Sequence, residues 1–249
     1  MAGSTTRRTA ILTLALILAL VASTTAASAF WWWGGTDTDN APGDEPVLLV
    51  HGFADSSWTL WWDALEGELK DDGYRDDEIY RLDLGGLLTT VESPEEYSKA
   101  VCDRLAAISM RHGGSEVDVI AHSMGGLDAR WCIEERGGAR YVDDLVTLGT
   151  PHQGTNAAYL GFFTEGGRDM IPGSPFLTEL NGDELASSVD YTTVYGTADV
   201  AVNPDEHALI PDAKHGEAAS VTEIHAGFYG HLALVWNDGV YEDYADELD

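Results

Sequence analysis

Basic residues are scarce in this chain. Thirteen Lys and Arg stand against 43 Asp and Glu over 249 residues, a formal charge of −30. Only three are lysine: Lys70, Lys99 and Lys214. Without a basic patch to neutralise phosphates, a nucleic-acid partner is excluded, and so is an anionic membrane held by charge. Cysteine is rarer still, with two residues. No Cys-x-x-Cys or His-Glu-x-x-His occurs, and no Gly-x-Gly-x-x-Gly or phosphate loop follows a strand, so neither metal nor cofactor is expected. The acidic residues are spread along the chain and read as solvated surface rather than calcium ligands. Such a surface repels itself, and salt shortens the Debye length from about 8 Å at physiological strength to about 3 Å at 1 M. Adaptation to high salt is the expectation.

What remains is ordinary globular material. Hydrophobic residues make up 44% of the chain, enough for one α/β domain. Residues 1–29 resemble an export signal. Arg7-Arg8 precede an apolar run, Ala10 to Ala22, too short to span a bilayer comfortably. Ala27-Ser28-Ala29 then offers a cleavage site. The paired arginines favour a twin-arginine route, with a general secretory signal as the alternative. A secreted protein is expected. Phe30-Trp31-Trp32-Trp33 would follow the cut, and residues 30–46 read as a linker.

The domain, 47–249, alternates strands and helices. Strands are expected at 47–50, 78–84, 117–121, 141–148, 191–195 and 221–224. Ser56 or Ser57 should cap a helix whose Trp58, Trp61 or Trp62, Leu65 and Leu69 share a face, with Trp58 a possible substrate contact. Pro94 should open a helix to about Arg111, burying Tyr97, Val101, Leu105 and Ile108. Further helices are expected after residue 123, at Pro175–Leu180 and at Leu232–Trp236. This order implies a mostly parallel sheet with helices on both faces. Residues 155–189 read as a short cap or flap.

The chemistry centres on Ala121-His-Ser-Met-Gly-Gly126. A serine there sits where a buried strand turns sharply into a helix, flanked by small residues at −2 and +2, as in a nucleophile elbow. A serine hydroxyl needs a base in contact, and the base needs a third group to fix its tautomer. Ser123 is the candidate nucleophile, Asp199 the acid and His231 the base, each just past a strand end. Asp190, Asp205 and Asp212 rival the acid, but precede a strand or lie in solvated loop. His225 is the serious rival base. His112, His207 and His215 read as structural. Backbone N–H groups of Phe53 and Met124 are the candidate oxyanion donors. Cys102 and Cys132 lie on consecutive helices. A disulfide closing about 30 residues would contribute roughly 3–4 kcal/mol, and two buried thiols are the alternative.

Over residues 46–237 the chain resembles the secreted bacterial lipases and esterases of the α/β-hydrolase fold, the small type with Ala-x-Ser-x-Gly. The marks are Val50-His-Gly-Phe53, Ala121 to Gly126, Leu148-Gly-Thr-Pro-His-Gln-Gly154, Thr197-Ala-Asp199 and Gly230-His231-Leu232. The family's nucleophile, acid and histidine fall on Ser123, Asp199 and His231, and its oxyanion donors on Phe53 and Met124. The resemblance implies hydrolysis of carboxylic esters, acylglycerols included, without a cofactor, with an oil–water interface as an expected place of action. The same residues would serve polyester hydrolysis or acyl transfer, and a dead hydrolase scaffold used for binding is the reading from another class.

Overall fold

The computed structural model describes residues 45–216 and 220–248. The export signal, the aromatic run at 30–33 and the linker through residue 44 lie outside them. Six strands are present: β1 (Val47–Val50), β2 (Ile79–Leu82), β3 (Val117–His122), β4 (Val142–Leu148), β5 (Asp190–Gly196) and β6 (Ser220–Gly227). They form one sheet in the order β2-β1-β3-β4-β5-β6, and every pair is parallel. The α-helices are α1 (Leu60–Asp71), α2 (Pro94–Arg111), α3 (Met124–Glu135), α4 (Glu165–Asp169), α5 (Pro175–Leu180), α6 (Ala233–Trp236) and α7 (Asp238–Tyr244).

Alternation along the strands divides the core in two. Leu48, Val50, Val119, Ala121 and Leu145 face α2 and α3, whose Val101, Leu105, Ile108, Ala129 and Ile133 fill that side. Val47, Leu49, Ile120, Val146 and Leu148 face α1 and the C-terminal helices, meeting Trp62, Leu65, Leu69, Leu234 and Val240. Both faces are covered, so the central strands β1 and β3 are buried at every position.

The helix over 94–111 forms as expected. Ser93 accepts the Glu95 N–H at its start, Pro94 occupies the first turn, and Tyr97, Val101, Leu105 and Ile108 are buried. Full burial of each aliphatic side chain contributes roughly 1.5–3 kcal/mol. The first helix departs from expectation. Neither Ser56 nor Ser57 caps it: Thr59 is the cap residue and its side chain makes no capping bond. Asp55 gathers this turn instead, accepting from the Ser56 N–H and the Thr59 hydroxyl at 2.6 and 3.0 Å. Trp58, before the first helical turn, is 79% exposed rather than part of the buried stripe. The last strand is longer than its apolar signal, because as a half-exposed edge it has little apolar alternation.

Residues 155–189 are not bare loop. A 3₁₀ turn at Asn156–Leu160, α4 and α5 pack on α3, forming a third apolar cluster of Met124, Leu127, Trp131, Met170, Phe176, Leu177 and Leu180. Trp131 stacks on Phe176 at 4.8 Å. Beneath, the buried Arg130 of α3 donates to Glu134 at 2.8 Å, His152 at 3.2 Å and Asn181 at 3.2 Å. A buried guanidinium is tolerable only when so compensated, and this one ties α3 to the loop after β4 and the end of α5. On the other side of α3, the Cys102 and Cys132 sulfurs lie at bonding distance, with Cα atoms 5.5 Å apart.

Candidate active site

Ser123 stands between β3 and α3 with φ 58° and ψ −129°. A non-glycine residue at positive φ is strained, and the surroundings hold it there. Its N–H donates to the Leu148 carbonyl at 2.9 Å, and its carbonyl accepts from Gly126 at 3.1 Å. The helix starts so close to β1 that a side chain on Gly125 would meet the Val50 and His51 carbonyl oxygens at 2.7 Å. That contact explains the glycine two places after the serine.

Asp199 and His231 are adjacent in space. His231 Nδ1–H donates to Asp199 Oδ2 at 2.7 Å. The other carboxylate oxygen accepts from Ala201 and Val202 N–H groups at 2.8 and 2.9 Å. Asp199 is thereby fixed at both oxygens, and the bond to Nδ1 fixes the imidazole tautomer. The loops that carry them run together: Thr197 and Ala198 donate to the Gly227 and Tyr229 carbonyls. Gly149, at the end of β4, leaves room for the pair, since a Cβ there would lie 2.9 Å from Asp199 Oδ2 and 3.1 Å from His231 Nδ1.

Ser123 and His231 line one cleft, with Gly52, Phe53, Trp61, Ala158, Met170 and Leu232 among its walls. Gly52 lies against the elbow: a Cβ on it would sit 2.7 Å from Ser123 Cβ and 3.1 Å from Met124 N. The Gly52 backbone thus packs against the elbow, and Phe53 lines the same cleft. Every expected site residue comes to this edge of the sheet. The rivals do not. His225 lies within β6 against the Tyr195 ring, His207 is bonded to the Gly154 carbonyl, His215 to Ile210 and His112 to Tyr80. Asp190 opens β5 at the opposite sheet edge, and Asp205 and Asp212 sit in 3₁₀ turns.

The model of the class 2 lipase family matches residues 44–170, half the chain and the part that carries the elbow and the Phe53 loop. The chain belongs to the class 2 lipases. Two triacylglycerol lipases, from Pseudarthrobacter phenanthrenivorans and Burkholderia plantarii, are each 26% identical over 169 residues, 66% of this chain. The match takes in 48% and 42% of those proteins, so this lipase-family chain spans about half the length of the curated relatives it matches. Among solved structures, Bacillus licheniformis lipase BlEst2 in its mature form superposes with a TM-score of 0.64 at 18% identity, covering 84% of this chain and 93% of that one. Aspergillus fumigatus lipase B gives 0.65 at 22%, covering 82% and 54%. These likenesses establish the α/β-hydrolase fold.

Two residues of this class 2 lipase site were not legible beforehand. His122, beside the serine, is fully enclosed, and burial holds its imidazole well below the usual histidine range. Its Nε2–H donates to the His231 backbone carbonyl at 3.1 Å, and the two rings lie 4.4 Å apart. His122 therefore positions the segment that carries the base. Asp55 accepts from both the Trp61 and Trp62 indoles, at 3.1 and 3.3 Å, and so fixes the turn just after Phe53. Burial pushes its carboxyl up, and the four donors offset that cost. The one hint in sequence was an acid six and seven residues before paired tryptophans. Trp61 lines the cleft, the place expected for Trp58.

Proposed function

We propose that this class 2 lipase hydrolyses carboxylic esters, acylglycerols among them, through an acyl-enzyme on Ser123. The 2.7 Å bond from His231 to Asp199, at a cleft shared with Ser123, carries the proposal. His231 Nε2 takes the proton as Ser123 Oγ attacks the acyl carbon. The Phe53 and Met124 N–H groups stabilise the oxyanion. His231 returns the proton to the leaving alcohol, and water then releases the acid by the same route. Asp199 holds the tautomer and the charged imidazole throughout. The cleft walls are chiefly apolar, which suits an acyl chain. Exposed Leu160, Phe162 and Phe163 border the cleft-lining Ala157, Ala158 and Gly161 and support action at a lipid surface, with residues 155–189 as the flap. The acidic surface and the residue 1–29 pattern support secretion into a salt-rich medium.

Turnover of short p-nitrophenyl esters is the direct test. Ser123→Ala should lower it by about a millionfold, and Asp199→Asn by about ten-thousandfold, with folding intact. Fluorophosphonate labelling that persists in Ser123→Ala would refute the assignment.

A further inference from the structure

The acid of the proposed triad sits beyond the sheet. β5 ends at Gly196, and the next strand begins only at Ser220. Before Asp199 the loop is pinned, because the Thr197 and Ala198 N–H groups donate to the Gly227 and Tyr229 carbonyls. After Asp199 the chain leaves the sheet, yet the carboxylate depends on that stretch. Asp199 Oδ1 takes its two bonds from the Ala201 and Val202 N–H groups. Whatever holds residues 201–203 therefore sets the orientation of the carboxylate that faces His231.

That hold comes from one side chain at the root of the flap. The Thr155 hydroxyl donates to the Ala201 carbonyl at 2.8 Å and accepts from the Asn203 N–H at 3.1 Å. These two bonds bracket Val202. The same oxygen accepts from the Ala157 N–H at 3.1 Å, in the first turn of the 3₁₀ segment Asn156–Leu160. A hydroxyl has one proton to give and two lone pairs, so all three of its bonding positions are used. Backbone bonds run alongside. The Asn156 N–H donates to the Asn203 carbonyl at 2.9 Å, and the Gln153 N–H to the His207 carbonyl at 3.1 Å. Thr155 is 4% exposed and lines the cleft with Ala157, Ala201 and Val202. An ordinary helix cap would need the Ala157 bond alone; the other two serve the acid loop.

We infer that Thr155 is a positioning residue of this site: its hydroxyl holds the acid loop in the shape that seats Asp199 on His231, and so joins the catalytic acid to the first turn of the flap. The inference rests on the proposed triad. Thr155 acts through Asp199 and handles no proton of the reaction. An acyl chain lying against Ala157 and Ala158 presses on the same unit that orients the acid, so flap root and acid loop move as one body.

Two substitutions in the full chain separate the hydroxyl from the rest of the side chain. Thr155→Val keeps the branched shape and removes the three bonds. Thr155→Ser keeps the bonds and removes the methyl. On a short p-nitrophenyl ester, well below the unfolding midpoints, Thr155→Val should lower kcat and kcat/KM together, by about tenfold to a hundredfold, with KM near that of the parent. Thr155→Ser should recover most of the rate. The low-field proton resonance of the His231 Nδ1–H, identified by its loss in His231→Gln, should weaken or shift in Thr155→Val and persist in Thr155→Ser. A further measurement needs no variant: in hydrogen exchange of the parent, the Ala157, Ala201, Val202 and Asn203 amides should open together as one cooperative unit. Parent-like turnover in Thr155→Val, an equal loss in Thr155→Ser, an unmoved His231 resonance, or amides that open independently would each overturn the inference. Activity that survives Ser123→Ala would instead sink the proposed triad, while the resonance and the exchange data would still decide whether Thr155 seats Asp199.

Discussion

The imidazoles of His51, His122 and His152 share one physical condition. Each is enclosed, and burial lowers its pKa; at His152 the neighbouring Arg130 adds to the effect. Their bonds agree with neutral rings. His51 Nε2 accepts from the Leu84 N–H at 3.1 Å, and His152 Nδ1 accepts from Arg130 while Nε2 faces the Thr147 hydroxyl at 3.0 Å. In the unfolded chain a histidine binds a proton below about pH 6.5, but these three stay neutral in the fold until lower pH. Their contribution is full above that pH and is lost as pH falls, by up to about 1.4 kcal/mol per unit for each ring. Asp128 acts with the opposite sign. Burial raises its pKa well above the usual value, so its contribution is lost as pH rises past about 3.9. Denaturant melts between pH 6.5 and 5 should therefore show a shallower acid loss in His152→Gln than in the parent; equal slopes would contradict the account. Ser123, Asp199 and His231 were legible because strand ends can be read from local pattern. His122 and Asp55 were not, because their roles come from a carbonyl and two indoles they meet only after folding.

Among the elements, α2 and α3 bear on the site most directly, since α3 begins at the elbow. The Cys102–Cys132 link joins them across a sequence separation of 30. Restricting a loop of that size in the unfolded chain contributes roughly 3–4 kcal/mol. Reductant, or a Cys102→Ser, Cys132→Ser pair, should lower stability by about that amount in equilibrium denaturation, while turnover well below the midpoint stays near that of the parent. A loss under 1 kcal/mol would mean the link constrains little. α2 could be read from sequence almost to the residue, because the Ser93 cap, Pro94 and the apolar spacing all agree. The start of α1 could not, since Ser56 and Ser57 serve the Asp55 turn.

At the scale of the whole molecule, charge dominates. A net −30 on 249 residues opposes compaction, and the opposition weakens as ions shorten the Debye length. The thermal midpoint should climb between dilute buffer and molar NaCl, by about 2–4 °C for each kcal/mol gained. A flat or falling trend would remove the case for salt adaptation. The sheet's connectivity matters at this scale too. Ser123 follows the third strand, Asp199 the fifth and His231 the sixth, and each junction depends on pairing with a neighbour distant in sequence. A growing chain therefore makes its serine well before its histidine. Any chemistry that needs all three residues must wait for the sixth strand to join the sheet.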